Sequence, residues 1–532
     1  MKKLILLLFL LVPLMIKAEE QDSIDKLINT QALKFKYILE TAKQYHTDSL
    51  DFLAITDEVL KKMLQEFDVQ SYYYTKKEVE LFKENNTGKT FSPGIDIQKI
   101  QDTVTIINIV ENSSAASAGL MLGDKIIDIN GKDYKEESLN YIKTELSGDS
   151  ATKLSLKIFR KYDNSEFDVE VERLDVETPS VTAAFLLGES KTGYIKINRF
   201  SELADDEFIS KSENLLQKGL KRLIIDLRGN SGGSLDASSA IIDQFLPEGK
   251  LLAYTESKNE SFRIKKMSTK QSILSDIPVV LLVDENSASG AELIAAAIQD
   301  YDRGIVVGER TFGKGSIQKI WYMNDGSAFK LTVGEYHSPV GRNLQKPLEK
   351  EVELDESAQL QMDEAARKKI LEGIKKSGGA KIETYESFGG RSLLGGGGVW
   401  PDQFALDDTL TTLTKVLLIK GVFNEFAIRY LAENRKELLD KFGDDFMLYV
   451  NEFNMTDEIL QNFANLAVKE FNVWNKEMFE VDKTMILYHI KASIAHFLWG
   501  NDGYTATMLP GDKVFRKGIN SLPEAEKLFP SN

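Results

Sequence analysis

Cysteine is absent from this chain of 532 residues. Disulfide bonds are therefore excluded, and so is a lipid anchor of the kind that is attached to an N-terminal cysteine. Structural zinc sites commonly use thiolates, so the absence also argues against a structural metal. We expect neither a metal nor a cofactor.

Histidine is almost as scarce, with four residues in the chain: His46, His337, His489 and His496. None stands in a recognisable nucleophile or metal motif. His489 and His496 lie on an apolar C-terminal stretch, where a packed, hydrogen-bonded role is favoured, and His337 ends a strand pattern and is assigned a structural role. A hydrolase made from this chain would need a base other than histidine.

Positive charge is in deficit, because 66 lysines and arginines stand against 82 acidic residues, for a formal net charge of −16. Such a balance argues against a nucleic-acid partner or an anionic membrane surface. With 42% hydrophobic residues, the composition is that of a globular protein too long for a single core.

Long apolar runs are confined to the N-terminus. Lys2 and Lys3 precede the run Leu4–Ile16, and Ala18 precedes two glutamates. This pattern predicts a signal peptide at residues 1–18 that is cleaved after Ala18. An uncleaved anchor is the alternative, but the run is short of the roughly 20 residues that span a bilayer. We expect a soluble protein in the periplasm or otherwise exported, with no integral membrane segment after cleavage.

Ser289 lies between two apolar runs of different pattern. Pro278–Val283 predicts a buried strand, and Ala291–Ile298 predicts the helix that follows. The serine therefore falls at a strand-to-helix turn. Backbone N–H groups at a helix start are unpaired and can stabilise an oxyanion.

Lys314 stands between two glycines in the segment Thr311–Gln318. A serine hydroxyl is a weak nucleophile at neutral pH and needs a base. A lysine can serve, because burial can lower its pKa by up to ~3–5 units. Alone, each segment has a plain structural interpretation, a helix cap for one and an exposed turn for the other.

A third segment is a glycine loop after an apolar strand. Leu223–Asp226 predicts the strand, and Leu227–Gly233 follows it with Gly229, Gly232 and Gly233. Glycines allow the main chain to turn and to expose N–H groups. On its own, the loop is better explained as a tight strand-to-helix turn.

Together, these three segments resemble the C-terminal processing peptidases, or tail-specific proteases, of serine peptidase family S41. The resemblance implies that Ser289 is the nucleophile, Lys314 the base and Gln318 a residue that positions the lysine. It implies an oxyanion site formed by the N–H of Gly290 and that of Gly232 or Gly233. It also implies a multi-domain α/β fold with a crotonase/ClpP-like peptidase core.

A further resemblance covers residues 118–131, Ala-Gly-Leu-Met-Leu-Gly-Asp-Lys-Ile-Ile-Asp-Ile-Asn-Gly, which are similar to the central stretch of a bacterial PDZ domain. A PDZ groove binds an extended peptide as an added strand and holds its carboxylate on main-chain N–H groups. By this resemblance, the carboxylate loop consists of Ser92, Pro93, Gly94 and Ile95. The alternative is a PDZ domain that only packs against the core.

The organisation follows from these assignments. We expect a signal peptide (1–18), an N-terminal helical region (19–88), a PDZ domain (89–175), an S41 peptidase core (176–350), a linker with a glycine-rich segment (351–402) and a C-terminal helical domain (403–532). The glycine run 395–398 is either a hinge or a packed turn, and the aromatic residues after it are expected to form a core.

The sequence therefore predicts a serine endopeptidase that uses a Ser-Lys dyad to process or degrade exported proteins, whose apolar C-terminal tails it recognises through its PDZ domain. A homodimer or an adaptor is an expected partner. The alternative function is a catalytically silent PDZ scaffold that presents protein tails to another protease.

Overall fold

Short apolar strands and helices alternate along the chain, and a computed structural model shows how they combine. It describes residues 2–79, 82, 89–161, 163–269, 272–346 and 383–528, with the backbone alone at 2–22, 89, 90 and 177. The predicted signal peptide lies outside the residues described with side chains. Across the described ranges, no helix is both long and apolar enough to cross a membrane.

The described residues form two compact units. The smaller holds those up to Val79 and Ile320–Leu331, and the larger holds the rest. Helices α1 (Lys2–Tyr45) and α2 (Phe52–Gln65) of the smaller unit confirm the predicted N-terminal helices. Its strand β1 (Tyr72–Tyr74) pairs antiparallel with residues 328–330.

The segment predicted as a PDZ domain folds around its own apolar core. Its elements are β2 (Lys89–Ser92), β3 (Ile95–Ile100), β4 (Thr103–Ile109), α3 (Ser114–Ser117), β5 (Lys125–Ile129), β6 (Lys132–Asp133), α4 (Leu139–Leu146), β7 (Lys153–Arg160), β8 (Ser165–Glu172) and β9 (Leu174–Glu177). The sheet order is β3-β4-β5-β7-β8, with β6 paired to β5. Strand β3 is at the end of this sheet, so its outer edge pairs with no described strand.

The peptidase core is built on a six-stranded sheet of order β10-β11-β12-β15-β16-β21. The strands are β10 (Val181–Leu187), β11 (Thr192–Ile197), β12 (Arg222–Asp226), β15 (Val279–Val283), β16 (Gly304–Gly308) and β21 (Gln403–Phe404). Only β10 is antiparallel to its neighbour. Every residue of β15 and β16 is buried, as expected for parallel strands that are covered on both faces.

Helices from distant parts of the chain cover the two faces of this sheet. One face carries α5 (Ala204–Gln217), α6 (Leu235–Asp243) and α7 (Gly290–Asp300). The other face carries the end of α12 (Lys476–Met508) and α13 (Lys513–Lys527). Gly518 of α13 lies so close to Leu282 that an added Cβ would be 2.7 Å from Leu282 Cδ2. The chain beyond residue 500 is thus part of the peptidase sheet's covering.

A second sheet of the core contains β13 (Leu251–Glu256), β14 (Lys265–Met267), β17 (Ser316–Tyr322) and β18 (Ala328–His337). His337 ends β18 and stacks on Tyr254 with ring centroids 5.0 Å apart.

The predicted linker divides into two parts. Residues 351–382 lie outside the described residues, whereas residues 383–402 pack on the core. They form the hairpin β19 (Thr384–Glu386) and β20 (Ser392–Leu394) and then lead into β21, the last strand of the main sheet.

The helical domain, residues 412–500, consists of α8 (Thr412–Ile419), α9 (Val422–Phe442), α10 (Phe446–Glu452), α11 (Asp457–Lys469) and α12 up to a kink at Trp499 and Gly500. Its core is rich in aromatic side chains, among them Phe423, Phe426, Phe442 and Tyr449. The expectation that these aromatics form a core is confirmed.

Candidate active site

The turn that carries Ser289, the candidate nucleophile, joins β15 to α7, as predicted. We call residues 284–289 the nucleophile turn. Ser289 precedes the first residue of α7 and has a φ of +53° and a ψ of −112°. Such a conformation is unfavourable for a residue with a side chain, costs of order 1–3 kcal/mol, and is found most often at functional sites. Its own N–H donates to Glu292 Oε2 over 2.8 Å, which holds the turn in place.

The neighbouring serine has a different environment. Ser287 is fully buried, and its hydroxyl donates to the carbonyl of Leu227 over 2.9 Å and contacts Asp284 Oδ1 at 3.0 Å. The N–H of Asp284 also donates to Ser287 Oγ over 3.0 Å, so this hydroxyl both donates and accepts structural hydrogen bonds. Of the two serines in the motif, Ser289 is the one that lies at the helix start.

The glycine loop lies directly against this turn. Asn230 is buried, and its carbonyl accepts the N–H of Ala288 over 2.9 Å. A Cβ at Gly232 would be 2.6 Å from Ser289 Cβ, and one at Gly233 would be 2.0 Å from the carbonyl oxygen of Phe200. No larger residue fits either position without displacing the loop.

The predicted oxyanion site consists of the N–H of Gly290 and that of either Gly232 or Gly233. That of Gly232 donates to Asn230 Oδ1 over 2.8 Å. Among the hydrogen bonds of the described residues, none uses the N–H of Gly233 or that of Gly290. These two groups have the free hydrogen that an oxyanion donor needs.

Lys314 is half-buried on the loop that precedes β17. Burial lowers the pKa of Lys314, although the negative charge of Glu292 opposes this shift. Its loop is anchored to the nucleophile turn, because Phe312 N–H donates to the carbonyl of Ser287 over 3.0 Å. No hydrogen bond of the described residues joins Lys314 Nζ to Ser289 Oγ. In free enzymes such contacts are often long and shorten when substrate binds.

Glu292 links the two loops. Its side chain is fully buried, and its two oxygens accept four hydrogen bonds. The donors are Ser289 N–H, Thr311 Oγ1, Gly313 N–H and Lys314 N–H, at 2.6–2.9 Å. Burial raises the pKa of Glu292, and these donors counteract the rise. One carboxylate therefore fixes the backbone of both candidate catalytic residues.

The glycine-rich segment supports the lysine loop from outside. Val399 N–H donates to Thr311 Oγ1 over 2.6 Å, so this hydroxyl connects the segment to Glu292. Arg310 donates to the carbonyls of Gly396 and Gly397, and its guanidinium lies 4.4 Å from the ring centre of Trp400. The run is a packed turn, which settles the choice between a turn and a hinge.

Thr311 and Arg310 are functional positions that the sequence reasoning missed. Both residues stand directly before Phe-Gly-Lys-Gly, and this position could have drawn attention to them. Nothing in the sequence indicates that a segment about 85 residues later packs on them. Gln318 is directed elsewhere than predicted from the family: its amide donates to Ser316 Oγ over 2.7 Å and to the Ser316 carbonyl over 3.1 Å.

A buried ion-pair network holds the base of the glycine loop. Asp226 is fully buried and contacts Arg228 at 2.7 Å, Lys196 at 3.5 Å and the hydroxyl of Tyr194 at 2.7 Å. Burial opposes ionisation, but the charges of Arg228 and Lys196 outweigh it and lower the pKa of Asp226. Arg228 also pairs with Asp512 at 2.6 Å, which joins the loop to the start of α13.

The predicted carboxylate loop of the PDZ domain immediately precedes β3. Gly94 has a φ of +83°, and its N–H donates to Ser92 Oγ over 3.2 Å. The carbonyls of Pro93 and Gly94 accept N–H groups of Ala115 and Val110. Ile95 begins β3, whose outer edge pairs with no strand among the described residues.

No cluster of three or more histidines, cysteines or acidic residues within the described ranges is arranged to hold a metal ion.

Family models match three parts of the chain. Residues 191–356 match peptidase family S41, residues 93–171 match a PDZ domain, and residues 413–500 match DUF8443, a family of unknown function.

Individual proteins are similar over longer stretches. A probable CtpA-like serine protease of Staphylococcus aureus (strain MRSA252) is 27% identical over 427 residues, which are 80% of this chain and 81% of the relative. Carboxy-terminal processing protease CtpA of Bacillus subtilis (strain 168) is 29% identical over 315 residues, 59% of this chain and 66% of the relative. Among solved structures, the photosystem II D1 C-terminal processing protease matches with a TM-score of 0.34 and 24% identity, over 58% of this chain and 83% of that chain.

Fold, site and matches define a serine-type peptidase that carries a PDZ domain. Residues 191–356 match peptidase family S41, and relatives of the chain are named carboxy-terminal processing proteases. The predicted family and the predicted fold class, with its helical C-terminal region, are confirmed.

Proposed function

We propose that this peptidase cleaves exported proteins by a Ser289–Lys314 dyad and selects them by apolar C-terminal tails bound to its PDZ domain. The observation that carries the dyad is the shared carboxylate of Glu292, which accepts backbone N–H groups from both residues. This shared anchor holds the backbone of Ser289 and that of Lys314 in a fixed relation, as a dyad requires.

In the proposed reaction, the neutral amine of Lys314 takes the proton of the Ser289 hydroxyl as Oγ attacks the scissile carbonyl. The oxyanion that forms accepts hydrogen bonds from the N–H groups of Gly290 and Gly233. The Lys314 ammonium then returns the proton to the departing amine, which leaves an acyl-enzyme on Ser289. A water molecule, deprotonated by Lys314, attacks the ester. The Lys314 ammonium returns this proton to Ser289 Oγ as the acyl–Oγ bond breaks, which releases the second product and restores the free enzyme.

The choice of Gly233 over Gly232 follows from hydrogen-bond capacity. A backbone N–H has a single proton, and that of Gly232 is used by Asn230. Gln318 remains the proposed positioning residue for Lys314, acting through Ser316, which its amide contacts.

Tail recognition is supported by the edge strand β3 and by the loop that starts it. A tail that paired with β3 would satisfy N–H and C=O groups that now have no strand partner. Its carboxylate would lie at residues 92–95. Export rests on the N-terminal segment 1–18, and a homodimer or an adaptor remains a predicted partner.

The test is cleavage of an unfolded reporter with an apolar C-terminal tail by the wild type, Ser289→Ala and Lys314→Ala. Lys319→Ala is the matched control, because Lys319 is exposed and only five residues from Lys314. We expect Ser289→Ala and Lys314→Ala to lose cleavage, and Lys319→Ala to retain it. Activity that survives Lys314→Ala would mean another base, and a wild type that binds the tail without cutting it would favour the scaffold function.

A further inference from the structure

The helical domain makes an extensive contact with the PDZ domain. Ile100, the last residue of β3, is only 1% exposed because it lies in the apolar core of the helical domain. Gly421 permits this approach, since a Cβ there would be 2.8 Å from Ile100 Cγ1. Beside it, Asn424 Nδ2 donates to Gln98 Oε1 over 2.8 Å.

A buried charge lies at the centre of the same contact. Glu425 of α9 is fully buried, and two of its partners belong to the PDZ domain: Lys125 at 3.4 Å and Lys161 at 3.2 Å. Its third partner is Arg429 at 2.7 Å. Separation of the two domains would remove two of the three cations that neutralise this carboxylate. A buried carboxylate needs such partners to be tolerated.

A third contact uses an irregularity in the PDZ sheet. The pairing of β3 with β4 passes from Asp96↔Asn108 to Ile97↔Ile106, so that Ile107 has no partner on β3. The carbonyl of Ile107 accepts a hydrogen bond from His496 Nε2 at 2.6 Å. The bulge therefore presents a backbone acceptor to helix α12.

The same helix also contacts the peptidase sheet. Asp502, six residues after His496, accepts the N–H of Ala184 in β10 over 2.9 Å. The kink at Trp499 and Gly500 separates the two contacts, and it is held by a 2.9 Å bond from Trp499 Nε1 to the carbonyl of Gly443. One helix thus connects the PDZ sheet to the catalytic sheet.

We propose that the helical domain is a rigid mount that fixes the PDZ domain to the peptidase core, so that a bound tail is presented from a constant position. Domains joined only by linkers move by default, unless their interface is large and apolar. Here the interface contains the buried apolar side chain of Ile100, the buried carboxylate of Glu425 and the backbone carbonyl of Ile107, which accepts a hydrogen bond from His496. This assigns a role to the part of the chain that matches a family of unknown function.

The absence of native cysteine permits a direct test on the full chain. Met121 of the PDZ domain and Ala432 of α9 line the same cleft between the two domains. The double variant Met121→Cys with Ala432→Cys would carry the only two thiols of the chain. A bifunctional thiol-reactive crosslinker with a disulfide at its centre can join them and can be cleaved by reduction. We expect efficient crosslinking, with single-cysteine variants as controls, and cleavage of the tail-bearing reporter within about twofold before and after reduction.

A movable PDZ domain would give the opposite result. If the crosslinked protein lost cleavage at least tenfold and recovered it on reduction, or if the pair did not crosslink, the mount would be refuted. Only this activity readout rests on the proposed function.

A second variant probes the mount without activity. Glu425→Gln removes the buried charge, whereas Glu433→Gln changes an exposed glutamate on the same helix. Hydrogen exchange in β4 and β5 should rise at least fivefold in Glu425→Gln and stay unchanged in Glu433→Gln. Equal exchange in the two variants would overturn the proposal. If the wild type cleaved nothing, the proposed function would fail while exchange and crosslinking still decided the mount.

Discussion

The nucleophile turn and the lysine loop reach the same carboxylate by different routes. The turn has partners close in sequence, since Glu292 is three positions from Ser289 and Ser287 bonds to Asp284. It also bonds to Leu227 and Asn230 of the glycine loop. The lysine loop is held by Glu292 and by the glycine-rich segment about 85 residues later. The position of Ser289 is thus encoded partly by local contacts, whereas that of Lys314 depends on tertiary packing.

The largest expected effect comes from the anchor that the two loops share. Glu292→Gln replaces one accepting oxygen with an amide that donates, so two of the four donors lose their partner, and at least one of these is a backbone N–H. We expect kcat to fall about 100-fold or more, comparable with the ~2.7–4 kcal/mol of one lost oxyanion donor, with little change in KM.

Steady-state kinetics on a peptide substrate measures this split. Glu285→Gln, an exposed glutamate on the same turn, is the control and should retain wild-type kinetics. Near-normal kcat in Glu292→Gln would show that the turn and the loop are positioned independently.

The second effect is the dependence on pH. Lys314 must be neutral to accept a proton, so kcat/KM should rise about tenfold per pH unit below the pKa of this lysine and then level off. Burial lowers that pKa, so the midpoint should lie below the ~10.4 of a free lysine. A pH–rate profile measures it, and a midpoint at or above 10.4 would contradict a buried base.

A smaller effect tests the remote support of the lysine loop alone. Thr311→Val keeps the shape but removes the hydroxyl that connects Val399 N–H to Glu292. Leaving those buried groups unpaired costs ~1–3 kcal/mol, and we expect kcat to fall about tenfold.

Thr311→Ser, which keeps the hydroxyl, should restore most of the activity. The rate at which a fluorophosphonate probe acylates Ser289 is measured in both variants. This rate shows whether a change in the lysine loop also affects the nucleophile turn. If Thr311→Val lowered the thermal midpoint without changing kcat, the support would be purely structural.

The smallest effect is expected at Gln318. Its amide contacts Ser316 rather than the lysine side chain, so Gln318→Ala should lower kcat only about threefold and move the pH midpoint slightly upward. Kinetics across pH measures both quantities. A loss as large as that of Glu292→Gln would mean that the amide contacts Lys314 directly in the substrate complex.

The sequence predicted those features that depend on neighbouring residues. The strand-to-helix turn at Ser289, the flexible glycines at 232 and 233 and the aromatic core of the helical domain all follow from local composition and periodicity. It did not predict that Arg310 contacts the carbonyls of Gly396 and Gly397, or that Glu425 is neutralised by two PDZ lysines. These are long-range pairings of individually ordinary residues, which no local pattern distinguishes.

The covering of the peptidase sheet by α13 has a consequence for timing. The apolar face of β15 that Gly518 and Phe515 contact remains open until residues 513–527 have been made and have folded back. Arg228, at the base of the glycine loop, likewise lacks its partner Asp512 until then. A growing chain therefore contains Ser289 and Lys314 well before α13 can cover this sheet, so we expect a competent site only after α13 has folded back.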